Sequence, residues 1–175
     1  DAIRTVKGQN IYLVAVVSTC VDSLMAERYA ATALQTASGS AYTDSSGGWV
    51  DPYNTFTRTY LVSLCKELRE LGFDEVAFSY LQQPLAATEL KYASQSSAPS
   101  RTDAVVALAK YLRTSLSATG LRVSAIVSAD SILQEKAKLS GQDMTVLPKL
   151  FDRVCVFATT DNVPTLQSAI AADSS

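Results

Sequence analysis

Any proton chemistry here must do without an imidazole, because the chain has no histidine at all. That absence removes the Ser-His-Asp triad, the Cys-His pair, the H-E-x-x-H zinc site and most catalytic zinc geometries. What remains are carboxylates, lysines and tyrosines. Asp22, Asp130 and Asp161 each stand just past an apolar, strand-like run. One reading makes them a carboxylate set converging on one end of a sheet, with Asp22 paired to Asp130 or Asp161. The other makes each the N-cap of the helix that follows, where an Asp side chain accepts free backbone N–H groups. Asp130 and Asp161 directly precede helical patterns and read as caps; Asp22 fits both readings. Asp74 and Glu75 lie at the opening of their strand, away from the end where chemistry gathers, and read as stability residues.

The other reactive types add little. Cys20, Cys65 and Cys155 are scattered through apolar stretches without metal spacing, as small buried hydrophobes would be. No metal site or cofactor is expected. There is no G-x-G-x-x-G after a strand and no G-x-x-x-x-G-K-S/T to cradle a phosphate. SGGW (46–49) opens no helix and reads as a flexible loop.

Composition sets wider bounds. At 175 residues this is one domain or part of a larger one, and 47% hydrophobic content suits a globular core. A net charge of −2, with aromatics at 8% and not interleaved with Lys or Arg, argues against nucleic acid. No run of 18 apolar residues is present, so no membrane span is expected. The opening DAIRTVKGQN lacks both an initiator Met and a signal-peptide layout, and reads as a cut end.

Positioning falls to four apolar runs: 11–19, 75–81, 122–129 and 153–159. Their near-continuous hydrophobicity predicts strands covered on both faces. Between them lie helical patterns. Over 55–71, Leu61, Leu64, Cys65, Leu68 and Leu71 share one face, and Gly72 is placed to end the helix in a left-handed cap. Over 103–118 the stripe is Val105, Leu108, Ala109, Leu112 and Leu116, with Thr102 as the expected N-cap and Gly120 as the stop. Weaker helices are predicted over 22–36, 131–139, 144–150 and 164–172. The order βαβαβαβα requires parallel strands, with functional loops at their C-terminal ends. Two connections are long, 37–53 and 82–101, and SQSSAPS (94–100) predicts local disorder.

On these residues the chain resembles a bacterial glycoside-hydrolase family of TIM-barrel type. Its signature runs W-x-D-P-Y, a helix, then G-F-D-E-I-x-F-D-Y-x-R-F-P. Here WVDPY stands at 49–53 and GFDE at 72–75, with Tyr80 and Pro84 also matching. IYLVAVVSTCVD (11–22) is similar to the family strand I-Y-x-I-A-R-x-V-x-F-x-D, and RVSA (122–125) and SGQD (140–143) extend the likeness over almost the whole chain.

The resemblance implies an α/β fold, a partial (β/α) TIM-type barrel with about four βα units over residues 1–175. They correspond to the family's third to sixth strands, in a bacterial extracellular or cell-envelope setting with polysaccharide as ligand. It also exposes departures. The aspartate expected to be catalytic is Ser79, the arginine three residues later is Gln82, and the next aromatic is Gln83. A first-strand arginine is Val16, and an expected aspartate is Ile126. Glycoside hydrolysis needs one carboxylic acid and one carboxylate, and a serine with no histidine to activate it replaces neither.

The expectation is therefore a glycoside-hydrolase-like pseudoenzyme that binds carbohydrate at the strand C-terminal face. The ligand residues would be Asp22, Ser79, Tyr80, Gln82 and Gln142, with Trp49 and Tyr53 offering ring faces. The alternatives are an active glycosidase using relocated carboxylates, and a structural or interaction module. A complete barrel takes eight βα units in about 250 residues. Four strands alone leave two open edges, so pairing with a second copy or with further barrel strands is expected.

Overall fold

The computed structural model describes residues 2–92, 99–133 and 137–173. In chain order the strands are β1 (Val14–Ser18), β2 (Gln35–Thr36), β3 (Thr43–Asp44), β4 (Gly47–Gly48), β5 (Glu75–Ser79), β6 (Leu90–Lys91), β7 (Arg122–Ser128) and β8 (Arg153–Phe157). The helices are α1 (Ala2–Gly8), α2 (Ser23–Arg28), α3 (Thr55–Glu70), α4 (Arg101–Leu116), α5 (Ala129–Ile132), α6 (Ala137–Ser140), α7 (Leu147–Leu150) and α8 (Val163–Asp173). Strands β1, β5, β7 and β8 pair in that order, all parallel, as half of a (β/α) barrel would.

Register divides the sheet into two faces. Val17 of β1 lies beside Phe78 of β5, which lies beside Ala125 of β7. This side packs on α3 and α4, where Leu61, Cys65, Leu108, Leu112 and Leu116 complete one core. Each fully buried Leu or Phe there contributes about 1.5–3 kcal/mol relative to exposure. The other side carries Val16, Ala77, Ser79, Ile126, Cys155 and Phe157. On it Val16 is 65% exposed and Phe157 74%. Coverage on both faces was expected; the central strands β5 and β7 come close to it, but β1 alternates between exposed and buried. The reason is position: β1 and β8 are the edges of the sheet, each with one strand neighbour instead of two. For the same reason Cys155 is only half-buried, unlike Cys20 and Cys65.

Local chemistry explains the helices. Asn54 caps α3 through Phe56 N–H and Thr57 N–H, and Gly72 follows at φ +100°, as expected of a left-handed cap. Leu71, assigned to the apolar stripe, is 56% exposed because it falls at the end of the helix. Helix α4 is capped by Ser100 and not Thr102: Ser100 and Asp103 form a reciprocal capping box. The predicted helix over 22–36 is one short helix and a 3₁₀ turn, Ala30–Thr32. The SQSSAPS run falls largely on 93–98, outside the described residues.

The N-terminal end of the sheet is pinned by acids. Asp74, just before β5, accepts Leu13 N–H at 2.8 Å and both contacts from Lys7 Nζ at 2.7 and 2.8 Å. Asp152, just before β8, repeats the device with Val123 N–H and Arg113 Nη1, each at 2.9 Å. In both cases the backbone N–H, aided by the cation, holds the carboxyl below its ordinary value. Glu75 is 1% exposed on the concave side, where it accepts hydrogen bonds from Tyr12 Oη (2.8 Å) and Ser124 Oγ, with Arg153 Nη2 at 3.7 Å. These placements agree with the stability role read for Asp74 and Glu75.

Candidate site at the strand C-termini

The C-terminal end of β5 is where the parallel sheet gathers its loops. Ser79 closes the strand and donates its Oγ to Val17 O at 3.3 Å. Tyr80 follows at φ +50°, a left-handed backbone that a bulky residue rarely adopts. Continued alternation would send residue 80 to the helix-covered side with Val76 and Phe78. Instead Leu81 is fully buried and Tyr80 is 41% exposed. Gln82 is half-buried, and Gln83 is wholly buried against Tyr92 Oη at 3.2 Å.

The described residues of both long connections fold around this end. From Cys20 to Tyr53 the chain folds over the tip of β1: Cys20 N–H donates to Tyr80 O, Val50 N–H to Cys20 O, and Asp22 N–H to Gly48 O. SGGW, expected to be a flexible loop, forms the hairpin of β3 and β4 instead, held to α2 by Gly48 N–H on Ser23 Oγ at 2.9 Å. Trp49 follows, with its backbone bonded on both sides and its ring edge-on to Tyr80 at 6.1 Å between centroids. The second connection meets the first, since β2 and β6 pair antiparallel. Arg101, at the start of α4, staples it: its guanidinium donates to the carbonyls of Pro84, Ala86, Thr88 and Leu139.

The expected site residues separate on these observations. Ser79, Tyr80 and Gln82 come together at the tip of β5. Trp49 lies beside Tyr80 but is 1% exposed, so its ring face is not open to a ligand. Gln142 is 2% exposed because its amide bridges strands, donating to Leu81 O and Ile126 O and accepting from Ser128 N–H. It shapes the site from beneath. Tyr53 is half-buried, packed edge-on to Tyr92 and under the Arg58 guanidinium.

Asp22 caps α2, its Oδ1 accepting Met25 N–H at 2.8 Å. It also lines a groove of about 390 Å³ between β1 and α3, with Ser18, Val16, Tyr60, Leu64 and Leu68. Asp161 is exposed, in the turn before α8; Asn162 stands between it and the helix, and its Oδ1 accepts Thr159 N–H upstream. Asp130 lies inside α5 instead of before it, and its side chain falls outside the described residues.

Chemically, the β5 tip offers a hydroxyl, a phenol and an amide. These can exchange hydrogen bonds with hydroxyl-rich ligands, but none supplies a carboxylate. Burial pushes the Cys20 thiol up to about 12, so it is no thiolate nucleophile at neutral pH. Among the described residues no group of three His, Cys, Asp or Glu could hold a metal ion, and no helix is long and apolar enough to cross a membrane. Sequence reading missed Gln83, the Arg101 staple and the buried Asp51, whose Oδ1 accepts Tyr53 N–H at 2.8 Å. Only the D-P-Y turn gave a signal, since Asp commonly bonds the backbone two residues on.

Comparison with known proteins bears on the family and the fold. Residues 1–158 match the model of a family described as a "putative glycosyl hydrolase domain". No curated protein matches the chain. Among solved structures it is similar to a hypothetical protein of Ruminiclostridium thermocellum ATCC 27405, at 23% identity and TM-score 0.60, over 70% of this chain and 62% of that one. A variant of the PelA glycoside hydrolase domain of Pseudomonas aeruginosa gives 14% identity and TM-score 0.58, over 97% and 66%. The PgaB (BpsB) glycoside hydrolase domain of Bordetella bronchiseptica gives 13% and 0.67, over 94% and 58%. At these identities the likeness is one of fold. The chain spans between 58% and 66% of the length of each.

Proposed function

This chain belongs to that glycosyl hydrolase domain family, and we propose that it binds carbohydrate at the barrel mouth without hydrolysing it. One observation carries the reading. Where the motif that the chain resembles has an aspartate, expected to be catalytic, this chain has Ser79, whose Oγ is engaged with Val17 O. Loss of one carboxylate from a two-carboxylate mechanism raises the barrier by several kcal/mol, and each ~1.4 kcal/mol is a tenfold loss of rate. Ser79, Tyr80 and Gln82 then act as ligand residues, with Asp22, which lines the groove between β1 and α3, as a further contact and Trp49, Tyr53 and Gln142 as support. The ligand is a polysaccharide in a bacterial extracellular or envelope setting, as the family resemblance implies. The open edges at β1 and β8 are covered by a second copy or by further barrel strands.

The test is titration with cell-wall and plant glycan fragments, followed by NMR, alongside a hydrolysis assay. Binding without turnover is expected. Hydrolysis by the unmodified protein refutes the loss of catalysis and points to relocated acids such as Asp22 with Asp130 or Asp161. No binding at millimolar glycan leaves a structural or interaction module. Hydrolysis recovered by the double variant Ser79→Asp, Gln82→Arg would locate the loss of catalysis at those two positions.

A further inference from the structure

We propose that Tyr80 is the aromatic platform of this mouth, a phenol ring held out by a left-handed backbone turn to receive the apolar C–H face of a pyranose ring. The inference rests on the carbohydrate reading above and assigns its central contact.

Two unfavourable features meet at this one spot. The first is the backbone. Tyr80 sits at φ +50°, where the Cβ of an L-residue crowds the carbonyl. Such outliers persist only where the surroundings over-determine them, and they cluster at functional sites. Here the surroundings are explicit: Cys20 N–H holds Tyr80 O at 3.1 Å, while the adjoining Thr19 N–H holds Ser79 O at 2.9 Å. The second is Trp49. Its indole Nε1–H is buried and meets no acceptor among the described residues. An orphaned buried donor is costly, and a sequence evolving for packing alone would exchange it for an apolar side chain.

What these two costs achieve is the placement of one ring. Tyr80 is 41% exposed while its backing residue is 1% exposed, and the two rings are nearly perpendicular at 87°. Edge-to-face backing leaves the phenol rigid without covering it, as a stacking surface requires. Packing does not explain the ring's position, because Leu81 already fills the core at this end. Ser79 and Gln82, neighbours of Tyr80 along the chain, carry a hydroxyl and an amide, groups that suit the equatorial hydroxyls of a sugar.

The probes are chitopentaose and cellopentaose, titrated into the intact chain. Trp49 is the only tryptophan, so its fluorescence reports on contact at Tyr80, while NMR reports binding anywhere on the protein. A saturable change in Trp49 emission is expected. Tyr80→Ala should weaken binding about tenfold, the scale of one aromatic contact, and Tyr80→Phe should retain it. A stability comparison tests the strain separately. Tyr80→Gly should melt roughly 2–4 °C above Tyr80→Ala, because only glycine adopts this φ freely. If a probe binds and Tyr80→Ala binds it equally well, the platform is refuted and the carbohydrate reading stands. If Tyr80→Ala melts at or above Tyr80→Gly, the strained presentation is refuted. If neither probe nor any other glycan fragment binds the unmodified protein, both readings fall together.

Discussion

Removing the carboxylate of Glu75 tests whether the GFDE segment is scaffold. The side chain is 1% exposed and takes hydrogen bonds from Ser124 Oγ and Tyr12 Oη. In Glu75→Ala the Ser124 hydroxyl, itself wholly buried, is left without its acceptor, which costs about 1–3 kcal/mol. Tyr12 is 48% exposed and rehydrates, so its loss is smaller. Arg153 stands 3.7 Å away with its side chain 52% exposed, and adds under ~1 kcal/mol after screening. The void left by the deleted methylenes adds about 1–2 kcal/mol. The expected loss is about 3–5 kcal/mol, which for a chain of this size lowers the melting temperature by roughly 6–20 °C. Glu75→Gln keeps the volume and an acceptor oxygen, and should lose only about 1–2 kcal/mol. Urea unfolding followed through Trp49 fluorescence measures both. A Glu75→Ala protein within 1 kcal/mol of the parent would show that this network does not pin the sheet.

Three further outcomes follow from the geometry. Asp74 and Asp152 have carboxyls held below the ordinary 3.8, so their contribution is complete above that value and is lost as pH falls through the folded-state values; acid unfolding should steepen below about pH 4, and Asp74→Asn with Asp152→Asn should flatten that limb in a circular-dichroism titration. A Cβ at Gly141 would sit 2.4 Å from Arg101 O, at a φ of +71°; Gly141→Ala should therefore destabilise by about 2 kcal/mol or more by urea melt, and a neutral result would mean that the close approach relaxes freely. With Val16 and Phe157 exposed along open edges, the 175-residue chain should self-associate in native mass spectrometry, and Val16→Lys with Phe157→Lys should suppress it; a monodisperse monomer at high concentration would refute the covering of the edges.

The strands were legible because each is a short branched run between helical stripes, and the parallel order follows from alternation. The GFDE junction was legible too, as a helix stop followed by acids at the opening of a strand. The long connections were not. Gln35 and Lys91 carry no periodicity and pair only because backbones distant in the chain meet, while Gly47 and Gly48 carry no apolar pattern to mark their tight hairpin with Thr43 and Asp44. Gln142 and Trp49 illustrate the same limit at the site. Their types suit ligand contact, but the fold encloses both, one as a bridge between strands and the other behind Tyr80.

By itself, then, the sequence determined the four strands of the main sheet and the two long helices, the direction of those strands and the absence of an imidazole. Those depend on residue type and local period, which neighbours along the chain suffice to set. Tertiary structure decided which acids cap helices, which aromatics stay exposed, and that Tyr80 turns outward through a left-handed residue. Burial and hydrogen-bond partners are properties of segments brought together from far apart, and no local pattern encodes them.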